Sequence, residues 1–113
     1  MSNGSNNPHV PDWVPVRFES ATVSQGPTAG SYKLIVTGET PSSGERSLGV
    51  RLAAHQKYLV QPQYWAIAVE WDRAGAIFQS AMPYQQAISL DHIRGTKGIE
   101  VVGKGMSKKI DVP

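Results

Sequence analysis

A chain of 113 residues without cysteine fits one domain and excludes disulfide staples, a thiolate nucleophile and any cysteine-built zinc site. With 40% hydrophobic and 18% charged residues it can bury a core, and a net charge of +2 is small beside that of dedicated nucleic-acid binders. Its 11 glycines and 8 prolines favour many short elements joined by turns over a few long helices.

Residues 1–11 are mainly Ser, Asn, Gly and Pro with little to bury, so they are expected to form a disordered tail before a single domain at 12–113. The start MSNGSNNPHVPDW has neither the basic nor the apolar region of a secretory signal. A chain made without a signal, and hence cytoplasmic, is slightly favoured over one whose signal was removed. No run of about 18 apolar residues occurs, so no membrane-spanning helix is expected.

From Val14 the pattern alternates. Val14, Val16 and Phe18 share one side of a strand, and Pro15 suits its edge because it has no N–H to donate. GPTAG at 26–30 reads as a turn, followed by a strand carrying Tyr32, Leu34 and Val36 on one face. TPSSGE at 40–45 is a loop by composition. The stretch 47–60 fits a strand through about Ala54 better than a helix, because Gly49 and Val50 oppose helix formation near its start.

QYWAIAVEW at 63–71 is the clearest strand. Trp65, Ile67, Val69 and Trp71 form one large apolar face, so Trp65 and Ile67 are expected in the core. Tyr64, Ala66, Ala68 and Glu70 form the other face. DRAG at 72–75 reads as a hairpin turn into a return strand at 76–82, broken by Met82-Pro83-Tyr84. A further strand is expected at 86–93, a turn at 94–98 and another strand around Ile99 and Val101. A loop at 103–109 then precedes a last short strand at Ile110 and Val112. These seven or eight short strands define an all-β domain. The expected architecture is an antiparallel β-sandwich of the immunoglobulin-like kind, chosen over a small barrel for its strand count and its mid-chain tryptophan strand.

The residues that could carry chemistry are scattered. His9, His55 and His92 have no metal-ligand spacing, so no metal or other cofactor is expected. Asp91 and His92 are adjacent, and neighbouring strand residues point to opposite faces, which argues against a catalytic pair with Ser89 or Ser80. Glu70 and Asp72 share a face if the strand runs that far, but acids at a strand end are common for turn reasons. Gly103-Lys104-Gly105 lacks the spacing of a phosphate loop. Residues 94–113 carry five basic and two acidic side chains, which reads first as a charge-protected edge strand.

The remaining resource is aromatic. Tyr58, Tyr64 and Tyr84 lie near strand ends or on the small-residue face, where tyrosine brings large contact area at low entropic cost. The reading is a non-enzymatic interaction module that binds protein or carbohydrate through these tyrosines, or self-associates through edge strands. The alternatives are a small hydrolase with a His/carboxylate site around His55 or His92, and a weak nucleic-acid contact through the basic end. No membrane partner is expected, and a nucleic-acid partner less than a protein.

Overall fold

The alternation in 64–72 sets the axis of the structure. Ile67, Val69 and Trp71 are buried in the core, and Tyr64, Ala66, Ala68 and Glu70 between them lie on the opposite, partly exposed face. The computed structural model describes residues 10–42, 47–74 and 80–113. Among these residues are eight strands and no helix: β1 (Trp13–Pro15), β2 (Ser20–Gln25), β3 (Tyr32–Thr40), β4 (Val50–Ala53), β5 (Tyr64–Asp72), β6 (Met82–Ser89), β7 (Gly98–Gly103) and β8 (Met106–Asp111).

The strands form two sheets. In the larger, β5 is central. Ala68 faces Ala53 of β4 and Val102 of β7, and Trp71 faces Val50 of β4 and Val14 of β1. β4 therefore runs along one side of β5, while β7 and β1 follow each other along the other side. A bond from Lys104 N to Val16 O joins those two strands. β8 pairs with β7 and forms the far edge. The smaller sheet has the order β2-β3-β6.

β4 lies close to β6, and β2 to β8, so the sheets are stacked edge over edge. Leu34 and Val36 of β3 share one core with Ile67 and Val69 of β5 and with Ile99 and Val101 of β7, all of them fully buried. Each such side chain contributes about 1.5–3 kcal/mol by leaving water. Two sheets around one apolar core are consistent with a β-sandwich.

Ile67 occupies the core as expected, whereas Trp65, nearer the end of β5, is half-buried against it. Several sequence expectations need correction. β5 and β7 run parallel, so the fold is not purely antiparallel. β6, the next described strand after β5, pairs with β3 in the other sheet. The proposed return strand at 76–82 falls largely on 75–79, outside the described residues. The break placed at Met82-Pro83-Tyr84 is instead the start of β6. Leu90 N donates to Tyr32 O, so even-numbered residues of β6 turn their backbone groups toward β3. Pro83 turns outward, and its missing N–H removes nothing from the ladder.

The first strand is short, although Val16 and Phe18 beyond it are buried as their pattern implied. β2 was not anticipated, since SATVSQ carries little apolar bulk. The expected loop at 103–109 is mostly strand. β7 and β8 are joined by the two-residue turn Lys104-Gly105, in which Gly105 takes φ +66°, a conformation that suits glycine.

Candidate functional site

The outer face of the larger sheet gathers residues that are far apart in sequence. Arg51 of β4 faces Glu70 of β5, and its Nε donates to Glu70 Oε1 at 2.9 Å. The same oxygen lies 3.0 Å from His55 Nε2. The Arg51 guanidinium also stacks over the Trp13 ring, 4.2 Å from its centroid, from across β5. Burial would raise the Glu70 carboxyl, but hydrogen bonds from His55 and Arg51, reinforced by their charge, outweigh it and hold the group below its ordinary value. His55 has no acid within four residues in the sequence; the fold supplies one fifteen residues away.

Glu70 and Asp72 do share a strand, yet they do different work. Asp72 is fully buried. Its Oδ1 accepts from Asp12 N at 2.8 Å and Ala74 N at 3.0 Å, and its Oδ2 accepts from Leu48 N at 2.9 Å. One carboxylate thus ties the start of β1, the entry to β4 and the end of β5 together. This is structural satisfaction of backbone donors, not acid–base pairing with Glu70.

Beyond β4 the chain forms a loop, residues 54–63, with an anchored base and a free tip. β4 ends opposite Ala68, and the next β5 amide on that side, Ala66 N, donates to the Tyr58 hydroxyl at 3.2 Å. The Tyr58 ring meets Trp65 at 74°, with centroids 4.9 Å apart. On the far limb Gln61 Nε2 donates to Arg94 O, Thr96 N to Pro62 O, and Lys97 N to Gln63 O. Glycine is required at 95, where a Cβ would lie 2.3 Å from Gln63 O. Between these anchors Leu59 is 105% and Val60 82% exposed. Sequence reading missed this pair, because the apolar dipeptide was absorbed into an irregular stretch before Pro62.

The three tyrosines do not form one surface. Tyr58 sits at the edge of β5, and Tyr64 lies on the adjoining outer face, where its hydroxyl donates to Asp111 Oδ1 at 2.6 Å. Lys109 Nζ lies 5.2 Å from the Tyr64 ring centroid. The hydrogen bond to Asp111, with some burial and that residue's charge, raises the Tyr64 phenol above its ordinary value. Tyr84 belongs to the smaller sheet. It lies across Gly38, where a Cβ would come within 2.7 Å of its hydroxyl, and donates to Arg17 O at 2.8 Å. Burial, helped by Glu19, pushes its phenol up to about 12.

His92 lies exposed in the turn after β6 with φ 69°, and Asp91 N bonds the Ser89 hydroxyl. Nothing in that geometry joins Ser89, Asp91 and His92 into a triad. Among the described residues no group of three His, Asp or Glu is arranged to hold a metal, and no helix is long and apolar enough to cross a membrane. A cleft of about 620 Å³ opens between β1 and the end of β3 and is lined by Val14, Pro15, Thr40, Trp71 and Lys104 among others, not by His55 or Glu70. Arg94, Lys108 and Lys109 of the basic C-terminal segment are engaged within the chain. Arg94 bonds Val112 O and Pro113 O, Lys108 bonds Ala21 O, and Lys109 covers Tyr64.

No family model, no curated protein and no solved structure matches this chain.

Proposed function

We propose that the chain is a non-enzymatic β-sandwich interaction module that binds a protein partner through the 54–63 loop and the adjoining tyrosine face. The observation that carries this reading is the contrast within the loop: a base fixed by Tyr58, Gln61, Pro62 and Gln63, and a tip that leaves Leu59 and Val60 in water. Single exposed apolar residues are ordinary, but an adjacent pair on an ordered support is already arranged for a partner's pocket. A carbohydrate partner is less favoured, since Lys109 occupies one side of the Tyr64 ring and Tyr58 packs on Trp65. The immunoglobulin-like form of the sandwich rests on the strand count and the buried tryptophan strand, and the parallel β5–β7 pair departs from its simplest version.

A hydrolase is the second reading, and the His55–Glu70 contact is the observation that favours it. Against it, Glu70 is shared with Arg51, and the pair lies on an open sheet face. Comparing proteins retained by immobilised wild type, Leu59→Asp/Val60→Asp and His55→Ala chains separates the two. A partner lost with the loop variant and kept by His55→Ala supports the module. In that case Tyr58→Ala or Tyr64→Ala should weaken binding by more than about 1 kcal/mol. Ester or amide turnover that disappears with His55→Ala, alongside binding indifferent to Leu59 and Val60, would replace the module with the hydrolase.

A further inference from the structure

The edges of the two sheets are treated differently. β8 carries Lys108 and Lys109, and β4 is only four residues long and carries Arg51. Such features block pairing with another chain. β2 is uncharged, but Lys108 Nζ bonds the outward Ala21 carbonyl at 3.0 Å. β6 has only one such feature, Pro83 near its start. Its eight residues, MPYQQAIS, contain no charge and are mostly exposed. The alternation set by Leu90 N to Tyr32 O turns the amides of Gln85, Ala87 and Ser89 and the carbonyl of Pro83 outward. Among the described residues no strand pairs with that side.

We propose that β6 is a self-pairing edge, and that two copies of the chain join β6 to β6, antiparallel, about a two-fold axis at Gln86. The result is one continuous six-stranded sheet. In this register Gln85 of one copy exchanges backbone bonds with Ala87 of the other, and the Ser89 amide reaches the Pro83 carbonyl. Pro83 forfeits only its own absent donor. Tyr84 and Ile88 of the second copy stand opposite each other in this register, with the Tyr84 ring kept over Gly38 of its own sheet.

The charges next to the edge bias the direction of pairing only weakly, because the β3 strands of the two copies stand three strand spacings, about 14 Å, apart. Lys33 lies beside Ser89 and Glu39 beside Pro83 on β3. Antiparallel pairing sets the Lys33 end of one sheet against the Glu39 end of the other, whereas parallel pairing would set like against like. The interface is isologous, as a two-fold dimer requires. Because it is made mainly by one strand from each copy it is small, so the dimer is expected to be reversible and concentration-dependent.

Sedimentation equilibrium of the full chain from micromolar to millimolar concentration is the first measurement, with a monomer–dimer equilibrium expected. Gln85→Lys/Ala87→Lys places lysine against lysine twice and should raise the dissociation constant by at least about tenfold. Gln85→Glu/Ala87→Lys places opposite charges in the same positions and should restore or tighten the dimer. Both variants leave the β3 ladder intact, and their melting at low concentration checks folding. Because the native chain has no cysteine, Gln86→Cys gives a second readout. Only the proposed register makes 86 its own non-hydrogen-bonded neighbour, about 4.5 Å away between Cα atoms, close enough for an intermolecular disulfide. Gln86→Cys should cross-link and Gln85→Cys should not. A monomer at every concentration, a dimer indifferent to the lysine pair, failure of the charge-swapped variant to restore it, or equal cross-linking at 85 and 86 would each overturn the proposal. Leu59→Asp/Val60→Asp should leave the dimer unchanged, which keeps this test separate from the loop's.

Discussion

Replacing Asp72 by alanine removes the acceptor for three backbone N–H groups, those of Asp12, Leu48 and Ala74. These bonds are part-buried, with Asp12 and Leu48 exposed, so water can take over some of the freed donors. Urea unfolding of Asp72→Ala should therefore show a loss of about 1–3 kcal/mol, with Asp72→Asn recovering part of it through its remaining oxygen. Tyr84 gives a pH prediction. Its phenol titrates near 12 in the folded chain, above the ordinary value of 10.0, because burial and Glu19 oppose the phenolate. Folding thus favours the protonated form. That contribution is whole below pH 10 and is lost as pH rises from about 10 through 12. Tyr84→Phe should flatten this part of the alkaline stability profile, measured by denaturant midpoint against pH. Little of this was legible at single residues. Asp72 reads as a turn acid because its partners lie at 12 and 48. His55 looks isolated because its carboxylate arrives from a different strand.

At the scale of elements, period-two alternation of large residues was the readable signal. It located β5 within a residue at each end and put Ile67 in the core. Where side chains are small and polar, as in SATVSQ of β2, alternation has no contrast to show. Where proline occurs, the sequence cannot say which way its nitrogen points, and Pro83 was therefore read as a break in what is an edge strand. The 54–63 loop divides into parts with opposite sensitivities. Leu59→Asp and Val60→Asp should change stability by no more than about 0.5 kcal/mol, since these side chains touch water in the folded chain. Tyr58→Ala removes the acceptor for Ala66 N and the contact with Trp65, and should cost more than about 1 kcal/mol. Thermal melts of the three variants check the contrast. Equal losses would mean that the tip is packed as tightly as the base.

For the whole molecule, composition and strand spacing were enough to indicate an all-β chain, and two sheets with one core are what the structure contains. The pairing scheme was not legible, because which strands meet depends on contacts between distant segments. β5 illustrates this: β4 precedes it directly, but β1 and β7 arrive from distant parts of the chain, and Asp12 bonds Asp72 across a separation of 60 residues. That arrangement has a kinetic consequence. Among the described strands, β2–β3 and β7–β8 close over short turns and β4–β5 over the 54–63 loop, whereas β1 and β7 reach the central strand from segments far away in sequence. Loop closure of this kind is slow, so folding is expected in the millisecond-to-second range typical of non-local β topologies. Gly105→Ala strains the turn of the local β7–β8 hairpin and should mainly slow folding in stopped-flow measurements. Val14→Ala weakens the distant β1–β5 pairing and should mainly speed unfolding. The central strand of the larger sheet would then be among the last to complete its pairing.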